Sequence, residues 1–297
     1  MSDAGIIVNE SVLAGRRRRT RTRLTKFLAY VVVIFGAFLM IYPLLWLLMS
    51  SFKDQTEIFT NTSLIPQSFT FQNYVIGWRG VSGVTFARFF LNSFYVTGVA
   101  VLGTVISCSM AGYAFARLKF FGKPILFAAM LATLMLPFHV TLIPQYILFF
   151  RLGWVNTYLP LVLPNILATQ GFFIFLLVQF IRSIPREIDQ SAYIDGCGPV
   201  RTYIHLIMPL SVPALMTTLI LSFIWKWNDF FSPLLYLSEL RKFTVSLALR
   251  MFVDAMGGSS WGALFAMSVL SLAPVFVAFI VFQGYLIEGI TTGSLKG

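Results

Sequence analysis

The chain has 297 residues, 58% of them hydrophobic and only 11% charged, with a formal net charge of +11. So little polar surface cannot coat a water-soluble globule, so the composition excludes that class and implies an integral membrane protein. The excess positive charge sits largely beside apolar runs, where it reads as an orientation signal drawn to anionic lipid and not as a nucleic-acid surface.

Residues 1–25 are polar and basic, with Arg16, Arg17, Arg18, Arg19, Arg21 and Arg23 leading to Lys26. They show no sustained hydrophobic periodicity and are expected to form a disordered tail. Apolar runs long enough to cross a hydrocarbon core of roughly 30 Å, about 20 helical residues, begin near Phe27, Leu91, Pro124, Pro160, Leu206 and Trp261. Six spanning helices are therefore expected, each closing its own backbone hydrogen bonds. They make an all-α integral membrane domain over residues 26–290, followed by a tail over 291–297. Pro137, Pro144, Pro164, Pro213 and Pro274 fall inside the runs, where proline kinks a helix without necessarily ending it. The first run is too long for a removable signal peptide and lacks a small-residue cleavage pattern.

An even number of spans places both ends of the chain on one side. That side holds fourteen Lys and Arg residues, in the amino-terminal tail, at Arg117, Lys119 and Lys123, at Arg182, Arg186 and Arg201, and at Lys296. The opposite side holds seven: Lys53, Arg79, Arg88, Arg151, Arg241, Lys242 and Arg250. The positive-inside rule makes the first set cytoplasmic, an N-in/C-in topology.

Between the first two spans, Ser51 to about Arg88 is too polar to cross lipid and carries turn-prone Gly77, Gly80 and Gly83, so it reads as an external loop with one short helix. Ser238 to Ser260 is a second external segment, ending in Gly257, Gly258, Ser259 and Ser260. It is placed to fold over the outer mouth of a pathway and offers Arg241, Lys242 and Arg250 to an acidic partner surface. Cys108 falls in a span and Cys197 in a cytoplasmic loop, so no disulfide is expected.

The segment 182–209, between the fourth and fifth spans, is the one long polar interruption of the carboxyl-terminal half. Ser183 is placed as an N-cap, with Pro185 and Glu187 in the first turn of a helix to Ile194. Gly196, Cys197, Gly198 and Pro199 then form a sharp break, after which Val200, Tyr203, Ile204 and Ile207 resume an apolar stripe at helical spacing. Small residues at Ser191, Ala192, Gly196 and Gly198 let another protein approach the backbone, and Glu187, Asp189 and Asp195 offer it charge. The pattern is that of a docking element.

In the fifth span Lys226 and Asp229 stand at i, i+3, where ionisable groups are costly in lipid and face protein or water. They form either a local ion pair at the end of the span or part of a solute route. In the second case Asn228 and Asp229 hydrogen-bond the solute and Trp225 or Trp227 stacks on it. Asn165, Gln170 and Gln179 in the fourth span are either interhelical hydrogen-bond glue or route-lining groups. His139 and His205 lack neighbours at metal-ligand spacing, no Gly-x-x-x-x-Gly-Lys loop occurs, and no nucleophile, base and acid set is visible, so metal binding, ATP binding and catalysis are not expected in this chain.

The register Gln190-Ser191-Ala192, Gly196, Leu206 and Met208-Pro209 resembles the cytoplasmic loop of permease subunits of ATP-binding-cassette importers: Glu-Ala-Ala, three residues, Gly, nine residues, Ile, one residue, Leu-Pro. The spacings, the glycine, the second alanine and the proline match, whereas the leading Glu, first Ala, Ile and Leu are substituted. Ser51-Phe52-Lys53, Glu57-Ile58-Phe59, Asn73-Tyr74, Asn92-Ser93, Ala114-Phe115-Ala116-Arg117, Leu136-Pro137, Leu142-Ile143-Pro144, Leu152-Gly153 with Asn156-Thr157, Trp227-Asn228-Asp229-Phe230 and the Gly289 to Gly297 tail extend the likeness over nearly the whole chain. It is similar to the shorter permease of the carbohydrate-uptake class, the kind found in the maltose system.

The resemblance implies a coupling helix in the 182–209 loop, docking an ATPase subunit through Glu187, Asp189, Gln190, Ser191, Ala192, Tyr193, Asp195, Gly196, Tyr203 and Pro209. It also implies a substrate path near Asn165, Gln170, Trp225, Trp227, Asn228 and Asp229. A second homologous permease, two cytoplasmic ATPase subunits holding ATP and Mg, and an extracytoplasmic sugar-binding protein are the implied partners, in a bacterial plasma (inner) membrane crossed several times. This chain is then a transporter subunit, not an enzyme, with carbohydrate as substrate and no cofactor of its own. The alternatives are an ion-gradient-driven secondary transporter of a small polar solute, which needs several intramembrane carboxylates where only Asp229 is placed, and a membrane enzyme or assembly scaffold.

Overall fold

The computed structural model describes residues 3–254 and 260–294, with side chains for 26–137, 140–253 and 260–285. Gly257, Gly258, Ser259, Lys296 and the side chains of His139 and of residues 1–25 lie outside the described residues. Among the described residues all regular structure is helical apart from one isolated bridge between Val81 and Val84. The chain divides into two compact units, residues 1–70 and 71–297.

In the first unit α1 (Asp3–Ser50) is a single helix of 48 residues. It runs back through the segment expected to lack structure, because Ala, Leu and Arg there are good helix formers and each added residue closes one more backbone hydrogen bond. Its Lys26–Ser50 portion is long and apolar enough to cross a membrane. The turn that follows is built around two charged side chains of the Ser51-Phe52-Lys53 and Glu57 stretches. Lys53 is fully buried, and its ammonium donates to the carbonyls of Asn61 at 3.1 Å and Ser63 at 2.5 Å. Glu57, at the start of α2 (Glu57–Thr60), accepts from Asn61 Nδ2 at 3.0 Å and from the Gln67 amide at 2.8 Å. A buried charge is costly unless hydrogen-bonded, so these contacts fix the path of the loop.

The second unit opens with α3 (Gln72–Arg79), so the first loop holds two short helices and not one. The long α4 (Phe86–Arg117) comes next and is the axis of the unit. Its Val96, Ala100, Thr104 and Cys108, repeating every fourth residue, are buried. Around it pack α7 (Leu159–Ile166), α8 (Gly171–Ser183) and α12 (Val212–Trp227). Glycines let two of these helices come close: Gly103 lies against Ile166 of α7, and Gly112 against Leu177 of α8.

Among the described residues four stretches are long and apolar enough to cross a membrane, Lys26–Ser50, Phe86–Arg117, Leu159–Ser183 (α7 with α8) and Trp261–Tyr285, the last within α15 (Trp261–Ser294), and a fifth if the bent pair Pro199–Leu210 and Val212–Trp227 counts as one. The run expected to be one span from Pro124 is instead two helices, α5 (Lys123–Leu134) and α6 (Phe138–Arg151). Proline has no amide hydrogen and drives the residue before it out of the helical region, so the helix stops ahead of Pro137. Pro43, Pro144, Pro164 and Pro274 stay inside their helices.

At the Phe86 end of α4, polar side chains tie loops to helices. Asn92 Nδ2 donates to the carbonyls of Arg241 at 2.8 Å and Phe243 at 2.9 Å, and the Val245 amide donates to Ser93 Oγ at 2.8 Å. These bonds seat the start of α14 (Val245–Asp254), whose Val245, Ala248 and Phe252 join Phe86 and Phe89 in one apolar cluster. Asn156 binds the same region from the other side, since its side-chain oxygen accepts from the amides of Ser238 and Glu239 and its carbonyl from Lys242 Nζ at 3.0 Å. Lys242 in turn pairs with Glu239 at 2.8 Å and holds that carboxyl below its usual range.

Gly103→Val is expected to destabilise the protein by roughly 1–3 kcal/mol, the usual cost of overpacking, because its first added carbon already meets Ile166. Gly98→Val on the same helix, where nothing lies within 4 Å, controls for helix propensity. Thermal unfolding of the purified chain in detergent measures both, and equal melting temperatures would contradict the close approach.

Candidate functional site

The segment between α8 and α12 folds as a jointed elbow. Ser183 does not cap a new helix as expected; it ends α8, and its hydroxyl donates to the Phe180 carbonyl at 2.7 Å. Ile184 precedes Pro185 and is held extended, with φ −70° and ψ 130°, so the next helix, α9 (Glu187–Ile194), starts only after that proline. It ends in a Schellman motif. The Cys197 amide bonds the Ala192 carbonyl at 2.9 Å and the Gly196 amide bonds the Tyr193 carbonyl at 3.0 Å, with Gly196 left-handed at φ +76°. A glycine takes that conformation without a Cβ penalty, which is the physical reason for Gly196.

Pro199 then opens α10 (Pro199–Thr202), which runs into a wide π turn over Tyr203–Ile207 and a short α11 (Met208–Leu210). The chain bends by 77° before α12. The expected apolar stripe divides between two faces. Ile207 is buried and Tyr203 half-buried, whereas Val200 is 71% and Ile204 52% exposed.

The elbow is fastened to α4 by three side chains spaced four residues apart on one helix face. Ser109 Oγ lies 2.7 Å from the Tyr203 hydroxyl, and the Tyr113 hydroxyl donates to the Pro199 carbonyl at 3.1 Å. Arg117 reaches two points: Nη2 donates to the Ile184 carbonyl at 2.7 Å, and Nε lies 3.0 Å from Asp189 Oδ2. That last contact is an ion pair whose angles fall outside hydrogen-bond geometry. Tyr113, Ala116, Ile181 and Ile207 pack behind these contacts as a small apolar cluster. Between α4 and α9 lies an open cleft of about 510 Å³, with Tyr113, Arg117, Asp189, Tyr193 and Pro199 among its walls.

The ten expected docking residues divide by exposure. Glu187, Gln190, Ser191, Tyr193, Asp195, Gly196 and Pro209 are exposed. Ala192 is buried, Asp189 is turned to Arg117, and Tyr203 is bonded to Ser109. Tyr193 and Ile194 are 81% and 83% exposed, so with Val200 and Ile204 the elbow presents large apolar side chains outward. Ser109 and Tyr113 belong to no local motif, and Arg117 reads from sequence only as a charge and as the end of Ala114-Phe115-Ala116-Arg117. Their signal was a polar residue every fourth position in an apolar span.

The residues expected along a substrate path do not converge in the same way. Asn165 is buried, donates to the Leu161 carbonyl at 2.8 Å and accepts from Gln170 Nε2 at 3.1 Å, so this pair is internal glue. Trp227 is buried against Phe94, with its indole N–H donating to the Ser271 carbonyl at 2.9 Å. Asp229 Oδ1 accepts from the Ser232 amide at 3.0 Å in the first turn of α13 (Phe231–Tyr236), and its other oxygen lies 4.0 Å from Lys226 Nζ. Trp225 is half exposed beside Phe172 and Phe173, and Asn228 is exposed. Among the described residues no group of His, Cys, Asp and Glu is arranged to hold a metal ion.

Residues 103–291 match the family model described as binding-protein-dependent transport system inner membrane component. The chain is 35% identical over 257 residues to a probable ABC transporter permease protein, YurM, of Bacillus subtilis, covering 86% of this chain and 84% of that one. It is 33% identical over 274 residues to the trehalose/maltose transport system permease protein MalG of Thermococcus litoralis, covering 90% and 97%. In fold it is similar to a chain of a bacterial ABC transporter involved in the import of the acidic polysaccharide alginate, with a TM-score of 0.79, 20% identity, and coverage of 89% of this chain and 96% of that one.

Removing either partner of the Arg117–Asp189 pair is expected to cost roughly 1–3 kcal/mol, less than for a fully enclosed pair because the Asp189 side chain is 25% exposed. A double-mutant cycle with Arg117→Met and Asp189→Leu, read by chemical unfolding in detergent, isolates the pair. A coupling energy of about 1 kcal/mol or more is expected, and one near zero would show that the two groups do not brace the elbow.

Proposed function

The chain belongs to the family of binding-protein-dependent transport system inner membrane components, and we propose that it is one permease subunit of an ATP-driven importer of sugars or oligosaccharides. It is a transporter component, and ATP with Mg is held by two separate ATPase subunits on the cytoplasmic side. A second homologous permease completes the membrane path, and an extracytoplasmic binding protein delivers the carbohydrate. The likeness to a trehalose/maltose permease supports the solute class.

In this reading the chain crosses a bacterial plasma membrane six times. The third crossing is α5 and α6 taken together, helices of 12 and 14 residues that are each too short for a hydrocarbon core of roughly 30 Å. The fifth is α12, entered through the bend at Ser211. The tails over 1–25 and 291–297 and the 182–209 loop are cytoplasmic, in keeping with the clustering of Lys and Arg.

One observation carries the proposal: a rigid elbow with exposed Tyr193, Ile194, Val200 and Ile204 is tied to two membrane helices, by hydrogen bonds to α4 and covalently to α12. Large apolar side chains left in water mark a contact surface. The exposed face, with Glu187, Gln190, Ser191 and Asp195 around it, docks an ATPase subunit. Asp189, Ala192 and Tyr203 serve docking from behind by holding that face in place. When the ATPase pair closes on ATP, the push is delivered through α9 to Arg117 and through the 77° bend to α12, tipping the helices between two arrangements. Along the path, half-exposed Trp225 is placed to stack on a pyranose, and Asn228, whose Nδ2 donates to the Ile224 carbonyl at 2.9 Å, to accept from its hydroxyls through Oδ1. Asn165, Gln170, Trp227 and Asp229 shape the wall. An ion-driven carrier would need titrating carboxylates in the membrane, whereas Asp229 is committed to capping α13.

Gly196→Trp tests the coupling in the reconstituted complex. Solute uptake is expected to fall at least about tenfold, a coupling change of the usual allosteric size, while ATP hydrolysis continues and is no longer stimulated by the loaded binding protein. Uptake and stimulation both at wild-type level in a correctly inserted variant would sink the mechanism. Collapse of uptake on dissipating the ion gradient with ATP still present would favour the ion-driven alternative.

A further inference from the structure

Next to the elbow, but sharing no lining residue with its cleft, a second notch of about 370 Å³ opens between α5 and α8. Lys123 and Arg182 stand at its rim, and Phe127, Ala128 and Leu131, together with Pro124, make its wall along α5. The Arg182 guanidinium sits over the Phe127 ring, 5.2 Å from its centroid, a cation–π contact between two residues that line the notch. One donor of the Lys123 ammonium is used on the Leu118 carbonyl at 2.8 Å, leaving two of its three N–H groups for another acceptor. Among the described residues neither cation has a carboxylate within ion-pair distance. Lys123 also lies within electrostatic reach of Arg182 and Arg186, both of its own sign.

The surroundings say what kind of anion fits. No residue of α5 is buried, and Ile125 and Leu126 on the same turns are 75% and 54% exposed, as expected of a helix in contact with hydrocarbon. The preceding turn carries a fully exposed Phe121 between Lys119 and Lys123, a pairing of aromatic and cationic groups suited to the membrane–water boundary. A soluble phosphate would use the two cations and leave the apolar wall unemployed. A molecule with an anionic head and a hydrocarbon tail uses both.

We propose that the notch between α5 and α8 binds an anionic phospholipid, with Lys123 and Arg182 on its phosphate and Phe127, Ala128 and Leu131 along its first acyl carbons. The site requires only that these helices cross a bilayer and does not depend on the transported solute. Bound there, the lipid neutralises the repulsion between the two cations at the point where α8 leads into the elbow, and holds α5 against α8.

Native mass spectrometry of the full chain in its complex, released from nanodiscs of mixed phosphatidylcholine and phosphatidylglycerol, tests this. The wild-type protein is expected to retain phosphatidylglycerol in preference to phosphatidylcholine. Lys123→Gln with Arg182→Gln should weaken that retention about tenfold or more, since each cation near an anionic headgroup contributes about fivefold. Ala128→Trp, which fills the apolar wall and alters no charge, should release the lipid as well. Arg201→Gln, an exposed cation on the adjoining elbow, should retain it. Equal loss in Arg201→Gln would reduce the effect to general surface charge and overturn the proposal. So would displacement of the lipid by inorganic phosphate alone, which would make the notch a free-anion site, or unchanged retention in the double variant.

Discussion

The interaction on which the rest of the structure depends is the polar ladder on α4. Ser109, Tyr113 and Arg117 stand four residues apart and grip the elbow at Tyr203, at Pro199, and at Ile184 with Asp189. Each contact alone is modest, of order 1 kcal/mol for a neutral hydrogen bond. They are spaced along a helix that also packs on α7, α8 and α12, however, so the elbow cannot tilt without moving the helix that organises the whole second unit. A solvated interhelical loop has no need of such fastening.

The same helix is fastened at its other end by different means. Asn92 and Ser93 hold the segment from Arg241 to Val245, and Asn156 closes on it from the α6–α7 connection. The two ends of α4 are thus each tied to a loop by side chains that satisfy backbone groups. A rigid rod anchored at both ends is suited to passing a displacement along its axis, because packed helices shift between discrete arrangements instead of deforming continuously. The prolines serve the same economy of motion. Pro137 separates α5 from α6, Pro185 delays the start of α9, and Pro209 and Pro213 flank the 77° bend, so the joints fall between stiff pieces.

Several short motifs legible in the sequence turn out to be structural devices. Asp195-Gly196 is the end of a Schellman motif, with the glycine required by its left-handed backbone. Lys53 and Glu57 are the buried charges around which the first loop is wound. Trp227-Asn228-Asp229 is divided in its duties: the tryptophan packs, the aspartate caps a helix, and the asparagine faces out.

From the sequence alone, composition decided that the protein lives in a membrane, because hydrophobic runs of spanning length cannot be hidden in water. The glycine and proline spacing of the 182–209 segment marked its break and its bend, because tight turns admit few residue types. What periodicity could not decide was which way each side chain turns once helices meet. Val200 and Tyr203 read as one stripe, yet the π turn sets them on different faces; Asp189 reads as a charge offered to a partner, yet Arg117, 72 residues away in sequence, claims it. Such pairings are set by the packing of α4 against its neighbours, a long-range property that local spacing does not encode.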